Sequence, residues 1–454
     1  MMEPPPGSEP VGGGEGPVDT DRRDLVDRAR EAGVKLVRLQ FTDILGVVKN
    51  VVIPAGALAD ALAGHVLFDG SAVLGFVRSE EADVYLLPDP DTFRVDPAAD
   101  AHPPVARMVC DIVNPDASPF PGCPRSALKR VLAEAMAMGF RIDVAPEVEF
   151  FVFERDRAGR VTVRTEDQAG YFDLAPGDVG EDVRRAAVLE LLAMGFPVAA
   201  SHHEVAPGQH EIDLAPVDAL QAADLLVTLR VVVREVARRH HGHATFLPKP
   251  VTGINGSGLH LHQQVWANGQ NALAEGTELS ATGRQYLAGL LQHAPGYTAV
   301  TNPLVNSYKR LVPGYEAPIY VGWSDASRSP LVRVVNAPPD RLHLELRSPD
   351  PAANPYLAWA VTIRAGLDGV ARRLGLPKAQ PRYVPAAADA ERLGLARLPD
   401  SLAGALEAFR RDALMRDALG EHIAERFLEA KRIEWNVYAA EVHAWEIDQY
   451  LNVY

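Results

Sequence analysis

Apolar and polar residues follow two different periods along this chain, and these periods divide it into strands and helices. A period of two predicts strands, because successive side chains of a strand point to opposite faces. The predicted strands lie at 34–41, 47–53 and 141–153, and within 66–95, 196–214, 244–266 and 331–348. A period near that of the α-helix predicts helices at 21–32, 125–138, 181–194, 216–239, 354–373 and 401–449. Strands and helices do not alternate as regular βαβ units, so we expect an α+β fold with an antiparallel or mixed sheet.

Composition along the chain predicts a tail and two domains. Residues 1–20 are rich in Pro, Gly and Glu, which is typical of a disordered segment. Residues 21–118 are predicted to form a small α+β domain. The stretch 114–124 holds four prolines and is interpreted as a linker. Residues 119–454 then form the second, larger domain.

Charge and cysteine content exclude several classes of protein. The net charge of −15 disfavours nonspecific nucleic-acid binding as the main role. Two cysteines without a C-x-x-C pair disfavour a disulfide framework and a thiolate zinc site, and are compatible with a reducing cytoplasm. The N-terminus lacks the features of a signal peptide, and no apolar run is long enough to span a membrane. A cytoplasmic location is therefore expected.

Pairs of acidic, basic or imidazole residues recur at spacing i, i+2 in the predicted strands. These pairs are Glu147/Glu149, His260/His262, His343/Glu345 and Glu345/Arg347. On a strand each pair would point to one face while the intervening apolar residue points to the core. The stretch 341–347 alternates in this way without a break. Polar rows of this kind predict a site for a metal, a phosphate or both.

Oxygen and imidazole ligands dominate the candidate site. The candidate metal ligands are Glu147, Glu149, Glu204, Glu211, His260 and Glu345. Carboxylates with one imidazole and no thiolate suit hard divalent cations such as Mg²⁺ or Mn²⁺. The Pro-Gly turn at 207–208 would let Glu204 and Glu211 return to one site. For any one of these glutamates, a surface position is the alternative interpretation.

Glycines and basic residues suggest that a phosphate is handled near these carboxylates. The segment 253–262 places several glycines directly before two histidines, although a plain tight turn is an alternative. The basic residues of interest are Lys309, Arg310, Arg328, Arg333 and Arg347. They form either a solvated face or a guanidinium set for phosphate and carboxylate groups. Divalent metals with arginines predict phosphoryl transfer, but no P-loop or kinase signature is present.

Longer motifs give a closer likeness. They are Phe68-Asp-Gly-Ser, Ala145-Pro-Glu-Val-Glu-Phe-Phe, His202-His-Glu-Val-Ala-Pro-Gly-Gln, Pro248-Lys-Pro with Asn255-Gly-Ser-Gly-Leu-His, Asn306-Ser-Tyr-Lys-Arg-Leu-Val-Pro-Gly-Tyr-Glu, and Arg347-Ser-Pro-Asp-Pro-Ala-Ala-Asn-Pro-Tyr. With these motifs the chain resembles class I glutamine synthetases along almost its whole length after residue 20. The resemblance implies an N-terminal β-grasp domain and a catalytic domain with an antiparallel β core surrounded by helices. It also implies a homo-dodecamer of two hexameric rings with active sites between adjacent subunits.

The resemblance further implies a role for each residue that matches a family motif. One metal would be held by Glu149, Glu204 and Glu211, and the other by Glu147, His260 and Glu345. Glutamate would be bound by Asn255, Gly256, Arg310 and Arg347. ATP phosphates would contact His262 and Arg333, and the transferring phosphoryl group would contact Arg328. Glu316 would lie on a flap over the intermediate, and Asp69 would help to bind and deprotonate ammonium.

The implied reaction is ATP-dependent ligation of ammonium to the γ-carboxylate of L-glutamate through γ-glutamyl phosphate. Four positions depart from the family pattern. Ala72 and Gln264 stand where serine is usual, Ser327 where asparagine is usual, and His343 where arginine is usual. They leave the nucleotide affinity and the identity of the amine open. A γ-glutamyl-polyamine or γ-glutamyl-ethanolamine synthetase is therefore the alternative, and a noncatalytic scaffold of the same fold is a remote one. The retained Asp69 and Glu316 favour ammonium.

Regulation is suggested by three further likenesses. Arg78 resembles the feedback-inhibition arginine of the family's alpha subtype. Tyr383 lies where another subtype is modified, but its neighbours match poorly. The aromatic C-terminus resembles the family's tail that docks into the opposite ring, although the end of a core helix would have a similar composition.

Overall fold

The computed structural model describes residues 17–73, 83–97, 103–174, 179–380, 390 and 392–454. Its strands are β1 (Leu36–Thr42), β2 (Val48–Pro54), β3 (Val66–Asp69), β4 (Asp83–Pro88), β5 (Arg94–Val95), β6 (Val105–Val113), β7 (Arg141–Glu154), β8 (Val198–His203), β9 (Gln209–Leu214), β10 (Val217–Asp218), β11 (Gly242–Thr245), β12 (Leu259–Ala267), β13 (Gln270–Asn271), β14 (Ala274–Glu275), β15 (Glu278–Leu279), β16 (Trp323–Ser324), β17 (Val332–Val335) and β18 (His343–Leu346). Its helices are α1 (Pro17–Glu31), α2 (Leu58–Leu62), α3 (Pro124–Ala137), α4 (Val179–Ala193), α5 (Ala219–Arg239), α6 (Ala281–Gln292), α7 (Ala294–Thr301), α8 (Ser307–Arg310), α9 (Pro355–Ala371), α10 (Leu402–Arg411), α11 (Ala413–Leu419), α12 (Glu421–Ala440) and α13 (Ala444–Tyr450).

The first domain is built on a mixed sheet with strand order β2-β1-β6-β4-β3, and β5 pairs with β6. Strands β1 and β6 are parallel, whereas the other pairs in this sheet are antiparallel. Alternate residues of β1 and β6, such as Leu39 and Met108, are fully buried and pack with Leu58 of α2. The predicted strand at 34–41 is confirmed by β1, whereas β6 was not predicted from the sequence.

The second domain contains a larger sheet with strand order β16-β17-β18-β12-β7-β9-β8. Its central strands are antiparallel, and only the short β16–β17 pair is parallel. The helices cover one face of this sheet, and the apolar helix α9 carries the fully buried Trp359. Asn354 caps α9 by accepting from the backbone N–H of Tyr356, and Pro355 occupies the first turn, where a missing N–H costs little. The predicted α+β fold with a mixed sheet is confirmed.

Three predictions about helices need correction. Helix α1 begins at Pro17, so the last four residues of the predicted tail are helical, because proline suits the first helical turn. Helices α6, α7 and α8 were not predicted, because most of their residues are buried and the amphipathic period is weak. The long predicted helix 401–449 is four helices, broken at Asp412, at Gly420 and at 441–443.

Arg125 of α3 joins the two domains through three carboxylates. Its guanidinium donates to Asp89 Oδ2 at 2.6 Å, to Asp111 Oδ1 at 3.0 Å and to Asp224 Oδ2 at 2.8 Å. Asp89 and Asp111 belong to the first domain, whereas Asp224 lies on α5. Arg125 is only 3% exposed, and a buried charge of this kind needs its partners. The predicted linker at 114–124 therefore lies beside a tight ionic contact between the domains.

Among the helices of the described residues, none combines the length and the apolarity that a membrane span needs. The N-terminal residues 1–16 lie outside the described residues, as do Arg78 and Tyr383.

His293, at the junction of α6 and α7, lies between two carboxylates. Its Nδ1 is 2.6 Å from Asp412 Oδ2 and its Nε2 is 3.1 Å from Asp368 Oδ2. An ionised carboxylate only accepts hydrogen bonds, so both ring nitrogens donate and the ring is an imidazolium. Burial disfavours that charge, but the hydrogen bonds and charges of Asp412 and Asp368 outweigh burial and raise the pKa of His293.

This contact predicts a pH-dependent contribution to stability. A raised folded-state pKa gives stability that is fully present below the unfolded value of about 6.5 and is lost as the pH rises through the folded value. The variant His293→Gln should therefore melt below the wild type at about pH 5.5, because hydrogen bonds between charged groups contribute about 1.5–3 kcal/mol. The difference in melting temperature between the two proteins should narrow towards about pH 8.5. Melting curves of both proteins across this range test the expectation, and a gap that is constant with pH would contradict it.

Candidate active site

Five neighbouring strands bring the predicted polar pairs onto one face of the large sheet. The facing residues are Glu345 with His262, His260 with Glu147, Glu147 with Asp213, Glu149 with Glu211, and Glu211 with His202. Residues directly opposite each other in adjacent strands share a face, so these pairs form a continuous polar row. The intervening Leu259 and Leu261 are 0% exposed on the other face. The period-of-two interpretation of these stretches is confirmed.

This row forms one wall of a cavity of about 770 Å³. Thirteen of the residues proposed from the sequence line it, namely Glu147, Glu149, Glu204, Glu211, Asn255, Gly256, His260, Arg310, Glu316, Arg328, Arg333, Glu345 and Arg347. They come from β7, β9, β12, β17, β18, the short helix α8 and the loops around these elements, which are distant in sequence. His262 and Asp69 do not line this cavity, and Arg78 lies outside the described residues.

Glu147, His260 and Glu345 form one compact group of potential ligands, with donor atoms within 4.8 Å of one another. The Nδ1 of His260 lies 2.5 Å from Glu147 Oε1 and 3.7 Å from Glu345 Oε1. The opposite ring nitrogen is 3.8 Å from Glu149 Oε1. His260 therefore lies between the carboxylates of this group and Glu149.

A second group consists of His202, Glu204 and Glu211, again within 4.8 Å. The Nε2 of His202 lies 2.8 Å from Glu211 Oε1. Glu149 belongs to neither three-residue group. Its Oε2 accepts from Gln209 Nε2 at 2.7 Å and from the backbone N–H of Gly258 at 2.9 Å. The structure thus brings together the three residues of one expected ligand set, whereas Glu149 of the other expected set lies outside the group that contains Glu204 and Glu211.

Burial and neighbouring charges shift the pKa values of these carboxylates. Burial, followed by the charge of Glu149, raises the pKa of Glu204 to about 8. Burial and the charges of Glu147 and Glu149 raise the pKa of Glu211 far above its usual range. Burial opposes ionisation of Glu147 as well, but His260 and His262 outweigh it and lower its pKa. The cluster has more carboxylates than positive groups, and its donor atoms are oxygens and imidazole nitrogens. Both features fit the binding of divalent metal ions.

Arginines surround the carboxylates on the side of β17 and β18. Arg333 Nη1 donates to Glu345 Oε2 at 3.0 Å, and Arg347 Nε donates to Glu345 Oε1 at 2.9 Å. Arg310 is 3% exposed and donates to the backbone carbonyl of Ser348 at 2.8 Å. Arg328 lies 3.5 Å from the hydroxyl of Tyr171. These four guanidiniums supply positive charge for an anionic substrate in the same cavity.

The glycine segment and the segment that carries Glu316 touch each other across the cavity. Asn255 Nδ2 donates to Glu316 Oε2 at 2.8 Å. The ammonium of Lys249 lies 3.6 Å from the centre of the Tyr315 ring, which is a cation–π contact. Glu316 has φ of 58°, a left-handed conformation that costs a side-chain-bearing residue energy. Segment 313–316 is therefore held against the glycine segment by specific side-chain contacts.

Comparison with known proteins decides the family. The model for the glutamine synthetase β-grasp domain matches residues 33–115, and the model for the glutamine synthetase catalytic domain matches residues 121–450. The chain belongs to the glutamine synthetase family. This membership confirms the expectation from the motifs, while the exact domain limits 21–118 and 119–454 stay predictions.

Curated relatives within the glutamine synthetase family cover nearly the whole chain. "Glutamine synthetase" of Staphylococcus aureus strain Mu50 is 48% identical over 439 residues, which is 95% of this chain and 98% of the relative. "Glutamine synthetase" of Staphylococcus epidermidis is 48% identical over 437 residues, with the same coverage. Two solved structures, described as "GmaS/ADP complex-Conformation 1" and "Apo GmaS without ligand", are 33% identical, cover 94% of this chain and 99% of theirs, and have a TM-score of 0.85.

Two residues that the glutamine synthetase resemblance assigns to the site lie outside the cavity. Asp69 is exposed at the end of β3 in the first domain, where its carboxylate accepts from the backbone N–H and the hydroxyl of Ser71. His262 contacts the site indirectly, because its Nε2 lies 3.1 Å from Glu147 Oε2. Neither position contradicts the assignment, but neither side chain reaches the cavity of its own chain.

The sequence interpretation missed four residues that line the glutamine synthetase cavity, namely Tyr171, His202, Gln209 and Asp213. Asp213 lies two residues after Glu211 on β9, and burial and the charge of Glu147 raise its pKa to about 6. His202 lies two residues before Glu204. The same i, i+2 signal that identified Glu147 and Glu149 could have found both residues.

Carboxylate repulsion gives a testable prediction about Glu211. Glutamine is neutral and resembles the protonated acid that the raised pKa of Glu211 favours, so the metal-free protein should melt at the wild-type temperature or above it. Mn²⁺ binding should weaken by at least about tenfold, the loss seen even for groups that only support metal ligands. Melting in a chelator and Mn²⁺ titration by electron paramagnetic resonance measure the two effects. Glu235→Gln, which changes an exposed glutamate paired with Arg238, is the control and should change neither.

Proposed function

We propose that this protein is a glutamate–ammonia ligase. It uses ATP to join ammonium to the γ-carboxylate of L-glutamate through γ-glutamyl phosphate and releases glutamine, ADP and phosphate. The observation that carries the proposal is the convergence of two carboxylate–imidazole groups and four arginines in one cavity. The two staphylococcal relatives named glutamine synthetase support the same activity.

We propose that two sets of ligands hold Mg²⁺ or Mn²⁺, and that the second set contains Glu149 in place of the His202 of the observed group. Glu147, His260 and Glu345 would hold one ion, and Glu149, Glu204 and Glu211 would hold the other. When bound, such ions neutralise phosphate charge and orient the phosphoryl group for transfer. Asp213 and His202 lie beside the groups and add negative charge and an imidazole donor to the same face.

The proposed substrate contacts follow from the cavity walls. Asn255 and Gly256 would hold the amino-acid part of glutamate, with Arg310 and Arg347 near its carboxylates. A Cβ at Gly256 would lie 2.3 Å from the carbonyl oxygen of Pro248, so the loop can adopt this close path only with glycine. Arg333 and His262 would contact ATP phosphates, and Arg328 the phosphoryl group in transit, since a rigid guanidinium favours the charge that develops there.

The proposed reaction has two steps. A γ-carboxylate oxygen of glutamate attacks the terminal phosphorus of ATP and ADP leaves. The nitrogen of ammonia then attacks the acyl carbon, and phosphate leaves with the bonding electron pair. The second step requires that water be excluded, which the contact of Glu316 with Asn255 favours by closing the cavity. Asp69 would receive a proton from ammonium.

The departures from the family pattern affect the nucleotide side more than the metals. His343 lies 5.0 Å from the ring of His262, and burial and that neighbour lower its pKa to about 4. A neutral imidazole therefore stands where the family has a positive arginine, so we propose weaker attraction for nucleotide phosphates. Ser327 hydrogen-bonds with Ser329 and lines the cavity, whereas Gln264 is buried and donates to the carbonyl of Asp340.

The preferred amine can be tested directly. Phosphate release should be measured with ATP and glutamate plus ammonium, and compared with putrescine, spermidine and ethanolamine. We expect the highest kcat/KM with ammonium, because Asp69 and Glu316 retain the carboxylates that a small cation needs. Ala72→Ser restores a hydroxyl and should lower the KM for ammonium modestly without a new activity. A higher kcat/KM with one of the larger amines would instead support a γ-glutamyl-polyamine or γ-glutamyl-ethanolamine synthetase.

Exposure of Asp69 outside its own cavity supports a shared active site in a dodecamer of two hexameric rings. We propose that Asp69 of one subunit completes the cavity of the next. Asp69→Ala and Glu345→Ala should each abolish activity, but mixed and reassembled rings should regain part of it. Activity of mixed rings is the measurement, and rings reassembled from each variant alone are the controls. Mixed rings as inactive as both parents would rule out the shared site.

A further inference from the structure

A second cavity, of about 310 Å³, lies where the first domain meets helix α5. Its walls include Arg94 of β5, Arg107 of β6, and Gln221 and Thr228 of α5. It shares no lining residue with the active-site cavity. We refer to it as the interdomain cavity.

Three arginines form a row across the sheet beside this cavity. Arg38 of β1 faces Arg107 of β6, and Arg94 of β5 faces Arg107 from the other side. Residues in register on adjacent strands share a face, so the three side chains leave the sheet together. Within the described ranges, the row forms one ion pair, between Arg38 Nη1 and Asp96 Oδ2 at 2.9 Å. The row therefore keeps an excess of positive charge.

Arg107 is the least compensated member of the row. It is 5% exposed, and its Nη1 donates to the hydroxyl of Thr228 at 2.8 Å. Its Nε is buried without a hydrogen-bond partner among the described residues, and its Nη2 lies 3.8 Å from the sulfur of Met194. Its guanidinium carbon lies 5.9 Å from the centre of the Phe196 ring, which is a cation–π contact. No carboxylate of the described residues forms an ion pair with it. A buried guanidinium without a counter-ion is costly, which points to an anionic ligand.

The N-terminus of a long helix points to the same kind of ligand. Helix α5 has 21 residues, and Leu220 and Gln221 of its first turn line the interdomain cavity. The first backbone N–H groups of a helix and its dipole favour negative charge. Asp218 satisfies one of these groups by accepting from the N–H of Leu220 at 3.0 Å. Asp218 does not occupy the other N–H groups of this turn, which lies beside the cavity.

The acidic residues of the cavity wall do not neutralise Arg107. Asp89 and Asp224 are both bound to Arg125. Asp218 caps α5, and both Asp218 and Asp91 are exposed to solvent. Their charges act mainly through water, where interactions are screened.

We propose that the interdomain cavity is a binding site for a small oxyanion, with Arg107 as its main contact and Arg94 and the first turn of α5 as supporting contacts. Both phosphate and a short dicarboxylate carry the planar or tetrahedral oxygen groups that a guanidinium binds. The cavity is at the small end of ligand sites, which suits an anion of this size. The site does not depend on the proposed ligase activity.

The test compares anion binding in the full-length wild type and in three variants. Inorganic phosphate and malonate are titrated separately by calorimetry, and the melting temperature is followed at matched ionic strength. Both anions, or one of them, should bind and raise the melting temperature of the wild type. Arg107→Met should weaken this binding by at least about tenfold, because it removes charge-assisted hydrogen bonds. Arg94→Met should weaken it less.

Arg155→Met is the control for loss of an arginine elsewhere, because Arg155 donates to backbone carbonyls at 3.1 Å and 3.0 Å and lies outside the cavity. It should bind the anions as the wild type does. Without anion, Arg107→Met should melt at or above the wild type, since it removes an uncompensated buried charge. No binding to the wild type, equal binding to Arg107→Met, or an equal loss in Arg155→Met would each overturn the proposal.

Discussion

Mutual repulsion of carboxylates on one sheet face is the constraint on which the rest of this structure depends. The register of β7 and β9 sets Glu147 opposite Asp213 and Glu149 opposite Glu211, so that four acidic groups share a face. Nothing in the local backbone favours that arrangement. It persists because the opposite face of the same strands is packed against the helices, where Phe150 is fully buried. The apolar core thus holds together groups that would separate if the strands could slide.

The two sides of the cavity are built differently. The carboxylate wall rests on paired strands, which fix positions well, whereas the opposite wall is made of loops that carry Asn255 and Glu316. A rigid ligand wall suits ions, whose coordination tolerates little displacement. A loop wall suits substrates that must enter and leave. The left-handed conformation of Glu316 lies on the loop side, where the hydrogen bond from Asn255 holds its side chain.

Sequence patterns predicted the sheet face better than the full site. Glu147 and Glu149 were identified because strand parity is a local property. His202 and Asp213 have the same i, i+2 spacing, to Glu204 and Glu211 respectively, and both were missed. A neighbouring histidine made the spacing less evident for His202, and aliphatic neighbours did so for Asp213. Contacts across long sequence distances, such as Asn255 with Glu316, have no local signature. The roles of individual residues came from family motifs. The residue types alone indicate metal and phosphate chemistry, but they do not assign a role to each residue.

Arg125 makes the two domains depend on each other at their boundary. Its three carboxylate partners are split between the domains, and the short segment that connects them supplies the residues just before the arginine. If the first domain were replaced by that of a relative, its carboxylates would come from a protein in which they contact a different arginine. Such a chimaera would keep both folds and still lose the junction, because a buried charge tolerates few substitutes. A change in any one of Asp89, Asp111 and Arg125 would therefore alter the contacts of the others, although they lie on opposite sides of a domain boundary.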